Sequence, residues 1–170
     1  MDISNGEGVG VALFVQGCHF HCYNCFNQET WDFESGHEWN ESSKNKFLEL
    51  ADREYIKRIS ILGGEPLADE NIEDVFDVIC AIKDRYKDSK KIWMHTGYTW
   101  DQIFPKIPQI DLSQNEIMRQ LIVKQCDVVI DGRFVDNLKD ISLKWRGSGN
   151  QRVIDVQNTM KSGEIALWEK

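Results

Sequence analysis

Residues 18–25, Cys18-His19-Phe20-His21-Cys22-Tyr23-Asn24-Cys25, hold three thiols in Cys-x3-Cys-x2-Cys spacing. Sulfurs so close in sequence can turn toward one point, as a metal or iron–sulfur site demands. A four-iron cluster held by only three thiolates keeps one iron without a protein ligand. A small molecule can bind and react there, as at the open position of a catalytic metal. Zinc is the competing occupant, since the three cysteines with His19, His21 or His37 would make a structural Cys3His site. A disulfide framework fits poorly, because the chain has an odd number of cysteines, five, and is long enough to fold without them.

A second stretch of chemical interest is Gly63-Gly64-Glu65-Pro66. Paired glycines let the backbone approach a ligand closely because no Cβ stands in the way. Glu65 offers an acceptor to an amine, and Pro66 stiffens the exit. Taken alone, the same four residues also read as a tight turn with a surface carboxylate.

The elements around these stretches follow from periodicity. Val9, Val11, Leu13 and Val15 alternate as a first strand. Ser42 or Ser43 is the expected cap of a helix reaching Tyr55, with Phe47, Leu48, Leu50 and Ala51 as its apolar side. Ile59–Leu62 reads as a second strand, Asn71–Tyr86 as a helix, and Ile92–His95 as a third strand. A mixed helical region with Pro105 and Pro108 precedes a helix near Ser113–Lys124 and a fourth strand at Asp127–Ile130. The tail adds an apolar alternation through Val153 and Val156, and Ile165–Trp168 is expected as a last short strand.

Strands separated by helices imply an α/β fold with a mostly parallel sheet built from β-α-β units. Sites in such sheets lie beyond the carboxyl ends of the strands. Cys18, Gly63–Pro66, His95–Tyr98 and Asp131-Gly132 each follow a predicted strand, so four punctuations converge on one rim. That convergence predicts a pocket.

The 170 residues are expected to form a single domain, 1–170, burying roughly 70% of the unfolded surface. A formal charge of −8 argues against non-specific nucleic-acid binding. Met1-Asp2-Ile3-Ser4 lacks the basic start of a signal peptide, and no apolar run approaches membrane-spanning length. A cytoplasmic location with reduced thiols is therefore expected. Cys80 and Cys126 lie in apolar surroundings and are expected to be buried structural thiols, not a second cluster motif.

The cysteine spacing, with Tyr23 two positions before the last thiol, resembles the signature of the radical S-adenosylmethionine superfamily. Gly63-Gly64-Glu65-Pro66 resembles that superfamily's amine-binding motif. Gly17-Cys18, Cys25-Phe26-Asn27, Thr30-Trp31, Trp93 with Thr96-Gly97-Tyr98, and Asp131-Gly132-Arg133-Phe134 narrow the likeness. Together with Trp145-Arg146-Gly147-Ser148 and Asn150-Gln151 they resemble the activating proteins of anaerobic ribonucleotide reductase. Glu7 departs from the pattern, standing where that family often has proline.

The resemblance implies a partial (β/α) barrel of the radical S-adenosylmethionine type, with a curved, mostly parallel sheet and outer helices. Cys18, Cys22 and Cys25 would hold one [4Fe-4S] cluster, and its open iron would bind the amino and carboxylate groups of S-adenosylmethionine. Asn24, Cys25 and Phe26 would contact that cofactor, and Gly63, Gly64 and Glu65 would take its amino group. No side chain need act as acid or base. One-electron cleavage would give a 5′-deoxyadenosyl radical, which installs a glycyl radical on the large subunit of the anaerobic ribonucleoside-triphosphate reductase. A flavodoxin or ferredoxin-type protein would supply the electron. The alternatives are an activator of another glycyl radical enzyme, of the pyruvate formate-lyase type, and a zinc-stabilised binding module without catalysis.

Overall fold

The computed structural model describes residues 1–106 and 111–168. Its frame is a five-stranded sheet in the order β1-β2-β3-β4-β5. The strands are β1 (Gly10–Val15), β2 (Arg58–Gly63), β3 (Lys91–His95), β4 (Val128–Asp131) and β5 (Arg152–Asp155). The first four run parallel, each beside its sequence neighbour, and β5 closes the series antiparallel to β4. The sheet is open, with β1 and β5 as its edges. The helices are α1 (Glu41–Ala51), α2 (Ile72–Tyr86), α3 (Trp100–Ile103), α4 (Gln114–Gln125) and α5 (Val156–Ser162).

One face of the sheet is aliphatic. Val11, Ile59, Ile61, Ile92, Met94, Val129 and Ile154 form a continuous core with Phe47 and Leu48 of α1, Val75, Ile79 and Ile82 of α2, and Ile122 of α4. The alternation of inward residues along each strand puts Ser60, Trp93, Val128 and Ile130 on the other face. There Trp93, Val128, Ile130 and Val153 cluster against Trp145 and Trp168.

Several boundaries differ from the sequence reading. The N-cap of α1 is Asn40, whose side chain accepts from the Ser42 and Ser43 amides while the Ser43 hydroxyl accepts from Asn40. Ser43 is thus the inner partner of a capping box, not the cap. The helix ends at Ala51, short of Tyr55, and the Tyr86 hydroxyl donates to the Leu48 carbonyl and the Asp52 carboxylate at that end. Leu50 faces solvent. Pro108 lies outside the described residues. The expected strand at Ile165–Trp168 is a single antiparallel bridge, Leu167 with Ile154, flanked by two backbone bonds to β5. Gly163, in the left-handed region, reverses the chain out of α5 and leaves only this short run against the sheet edge. No helix among the described residues is long and apolar enough to cross a membrane.

Candidate cluster and cofactor site

The cysteine loop leaves β1 and returns beside itself. The Gly17 amide donates to the Thr30 carbonyl at 2.8 Å and the Cys18 amide to Trp31 at 3.0 Å. Within that closed excursion the backbone turns through the left-handed region at His21 (φ 44°) and Asn24 (φ 54°). Asn is among the few non-glycine residues that enter this region readily. The Cys25 amide donates to Cys22 at 3.0 Å, and the Asn27 amide approaches the Cys25 sulfur at 3.4 Å.

Cys18, Cys22 and Cys25 are free, half-buried thiols lining one cavity of about 480 Å³. Gly63, Gly64, Glu65, Phe26, His95 and Thr96 line the same space. The volume is in the range of small-molecule sites. Burial pushes the Cys18 thiol up, opposed by the backbone N–H groups of Phe20 and His21. Burial also raises Cys22, and the neighbouring Cys25 adds to it. Thiols in such a pocket stay neutral until a metal takes the place of the proton.

The second loop is laid directly on the first. The Gly64 amide donates to Val15 at 2.8 Å and the Glu65 amide to Gly17 at 2.7 Å. Gly63 has φ +110°, and a Cβ at Gly64 would lie 2.3 Å from the Gly17 carbonyl oxygen. The glycine pair is therefore required by contact between the two loops as well as by any ligand. Asn71 clips them together, its side-chain amide donating to Gln16 and Glu65 carbonyls at 2.9 Å each. Sequence reasoning missed Asn71. In the sequence it reads only as a helix-start Asn, and that its side chain makes no cap shows only in the structure.

Glu65 is buried, and its carboxylate accepts from the Thr96 hydroxyl (2.7 Å), the Gly97 amide (2.7 Å) and the Leu67 amide (2.9 Å). Burial raises its pKa to about 6 against these bonds. The sequence reading aimed this carboxylate at an amine. In the structure its first task is to brace the end of β2 against the end of β3. His95 beside it is held down to about 4 by burial, and its Nε2 lies 3.4 Å from the Asn5 carbonyl.

The remaining wall comes from the β4–β5 connection. Arg133 stacks over the Phe20 ring at 4.2 Å, and Phe26 meets Phe134 edge-on at 5.2 Å. Gln151 staples the Trp-Arg-Gly-Ser segment, accepting from the Gly147 amide at 2.9 Å and donating to Gly132 at 2.9 Å. Asn24 supplies a turn and is not part of the cavity wall, unlike Cys25 and Phe26. Arg133, Phe134 and the N-terminal Ser4 and Asn5 are lining residues that the sequence reading did not assign. Cys80 is only half-buried, because α2 turns it toward its own Asp77 and Asp84; Cys126 is fully buried as expected.

Two of the candidate fourth donors of a zinc site, His19 and His21, have other partners. His19 bonds Glu70 at 2.8 Å, and His21 stacks on Trp31 at 4.6 Å. Among the described residues no three His, Cys, Asp or Glu side chains converge on a single ion. Cys18, Cys22 and Cys25 line the same cavity, and a cubane takes one thiolate per iron.

Comparison with known proteins agrees with this donor chemistry. Residues 4–154 match the family described as a 4Fe-4S single cluster domain, which makes the chain an iron–sulfur domain protein. The anaerobic ribonucleoside-triphosphate reductase-activating protein of Vibrio cholerae is 35% identical over 89% of this chain and 90% of its own length. Its counterpart in Escherichia coli K12 is 36% identical, covering 90% of this chain and 92% of that one. That of Enterobacteria phage T4 is 34% identical over 89% and 87%. The chain belongs to the family of anaerobic ribonucleoside-triphosphate reductase-activating proteins.

Proposed function

We propose that this chain activates an anaerobic ribonucleoside-triphosphate reductase by cleaving S-adenosylmethionine and installing a glycyl radical on the reductase's large subunit. The observation that carries the reading is the meeting of the Cys18–Cys25 loop and the Gly63–Glu65 loop around one cavity at the carboxyl ends of β1 and β2. Cys18, Cys22 and Cys25 would hold a [4Fe-4S] cluster. When bound and reduced, it would supply the one electron needed to split the sulfonium–C5′ bond of S-adenosylmethionine, the chemistry behind hydrogen-atom removal from a glycine of the reductase.

The chain's own residues position and exclude. Gly63 and Gly64 bring bare backbone to the cavity for the methionine amino group. Glu65 keeps acceptor capacity for that amine, since three donors do not exhaust a carboxylate. Cys25 and Phe26 form the adjoining wall, and Asn24 sets the turn that places them. No side chain acts as acid or base, so catalysis rests on orientation and shielding from water. The open sheet serves as a partial barrel of the radical S-adenosylmethionine type, and residues 1–170 act as one domain. A flavodoxin or ferredoxin-type protein delivers the electron, and the chain works in the cytoplasm.

The test is anaerobic reconstitution with iron and sulfide, followed by electron paramagnetic resonance of the reduced protein with and without S-adenosylmethionine. The expected result is a cluster signal that changes with the cofactor, 5′-deoxyadenosine as product, and a glycyl doublet on the reductase. A colourless protein with stoichiometric zinc overturns the reading. A doublet formed only on a pyruvate formate-lyase-type partner reassigns it.

A further inference from the structure

Of the residues between Cys18 and Cys25 that are not thiols, His19, His21, Tyr23 and Asn24 are exposed and Phe20 alone is partly buried. Its ring lines the cavity beside Cys18 and Cys22. Arg133 lies over it at 4.2 Å, and Tyr98 meets it edge-on at 5.0 Å. A Cβ at Gly97 would lie 2.3 Å from its Cδ2 and 2.4 Å from its Cε2, nearer than a side chain can stand. Gly97 is outside the left-handed region, so its backbone conformation does not call for glycine. Room for the ring does.

The same glycine holds the other loop. Its amide donates to one oxygen of Glu65 at 2.7 Å, while the hydroxyl of the preceding Thr96 donates to the other at 2.7 Å. The end of β3 thus grips the Glu65 carboxylate with two donors and seats Phe20 against the bare Cα of Gly97. Phe20 stands two residues from Cys18 and two from Cys22, so a shift of its ring is passed to both thiols. The bond of the Glu65 amide to the Gly17 carbonyl secures only the entry of the cysteine loop. Farther along, His19 on Glu70 and His21 on Trp31 are surface contacts of exposed imidazoles, and exposed ion pairs hold little. A packed aromatic ring holds more.

We infer that Phe20 is a positioning residue: seated on Gly97, it fixes the cysteine loop in register with the Glu65 carboxylate. The inference rests on the proposed function, in which the three thiols and the acceptor at Glu65 must serve one cofactor together. Without the ring the thiols would still take up iron and sulfide, but out of register with that acceptor. A misplacement of about 1 Å is enough to slow a reaction severely. The seat also gives Gly97 and Tyr98 a purpose, since neither belongs to the cluster ligands or to the proposed cofactor contacts.

The test is a size exchange in the full chain, with Phe20→Ala, Phe20→Leu, Gly97→Ala and the double variant Phe20→Leu/Gly97→Ala. Hydrogen exchange at the Gly97 amide, with and without the cluster, reads the bond to Glu65. It should speed up on the order of tenfold in Phe20→Ala and in Gly97→Ala. After reconstitution these variants should hold wild-type iron, while the change that S-adenosylmethionine causes in the electron paramagnetic resonance spectrum weakens. Cleavage to 5′-deoxyadenosine should slow on the order of a hundredfold. The double variant should recover part of the loss seen in Gly97→Ala, because the smaller side chain makes room for the new methyl group. Wild-type exchange and a wild-type spectral response in Phe20→Ala overturn the inference. Defects that simply add in the double variant also overturn it, since residues without a shared contact add. So does a Phe20→Ala chain that takes up no iron, which would make the ring a requirement of loop folding and not of register. If the wild type itself does not respond to S-adenosylmethionine, the proposed function falls, and the exchange rates across the four variants still decide whether Phe20 holds the loop to Glu65.

Discussion

The two faces of the sheet are built on different principles. The outer face is covered by α1, α2 and α4 through mainly aliphatic contacts, Ile59, Ile61, Ile92 and Met94 among them. Among the described residues, no helix side chain belongs to the inner-face cluster. The N-terminal segment and three tryptophans fill that face, with Trp145 5.1 Å and Trp168 5.8 Å from Trp93. Arg58, fully buried, reaches from β2 to the Asp2 carboxylate at 2.7 Å and the Glu7 carbonyl at 3.2 Å. The Ser60 hydroxyl donates to Asn5 at 2.9 Å. Strands of a parallel sheet covered on both faces usually read as unbroken apolar runs. Here Arg58, Ser60 and His95 interrupt the run because the inner face leads into the cavity, where Ser4 and Asn5 form part of the wall. The outer face supplies stability by area, and the inner face supplies a fixed arrangement through particular bonds.

The sharpest separation is expected at the cysteines. Changing Cys18, Cys22 or Cys25 to Ala should abolish cluster absorbance and cofactor cleavage together, while the melting temperature of the metal-free protein moves little, since none belongs to either core. A variant that keeps its cluster would remove that residue from the ligand set. Next in size are paired substitutions on the two faces. Ile79→Ala, on the outer face, should cost about 2–4 kcal/mol and leave S-adenosylmethionine affinity unchanged. Arg58→Ala strands the Asp2 carboxylate and should cost about 3–5 kcal/mol, and it should also weaken the cofactor by loosening Ser4 and Asn5. Urea unfolding with calorimetric titration reads both quantities. Equal affinity losses in the two variants would erase the distinction between the faces.

The outer face was the legible one. Aliphatic periodicity located β1 to β4, α2 and α4 because each buries a regular set of side chains. The chemical residues were legible for another reason, since three thiols and a Gly-Gly-Glu turn are compact in sequence. The inner face was not readable, because its bonds join single polar residues far apart in the chain. Arg58 meets Asp2 across 56 positions and Asn71 meets Gln16 across 55. No local pattern announces such a pair. The cap of α1 was misread for the opposite reason, too many candidates, as Asn40, Ser42 and Ser43 all carry capping side chains.

The coupling between the two loops gives a smaller but more specific test. Gly64→Ala would set a Cβ against the Gly17 carbonyl, which neighbours Cys18. The expected cost is about 1–3 kcal/mol, with cluster content and S-adenosylmethionine affinity falling in parallel. If cluster content stayed at the wild-type level while affinity fell, the glycine would serve the ligand alone, and the two loops would be mechanically independent.

The smallest expected effect is a pH dependence on the inner face. Burial holds His95 down to about 4, against 6.5 for a free imidazole. Between these values the unfolded chain binds a proton that the folded chain refuses. The resulting stability is fully present above pH 6.5 and is lost as pH falls to about 4. Glu65 has the opposite sign. Its pKa rises from 4.5 to about 6, so its contribution is present below 4.5 and lost as pH climbs through 6. The two therefore oppose each other between pH 4.5 and 6, and the wild-type profile should be flat there. His95→Phe removes one arm and leaves the other. Relative to the wild type, its unfolding free energy from urea titration should rise as pH falls from 6.5 to 4.5, by on the order of 2 kcal/mol after allowance for partial solvent access. Parallel profiles would mean that water reaches the imidazole freely, and the inner face would then be an extension of the cavity and not its dry support.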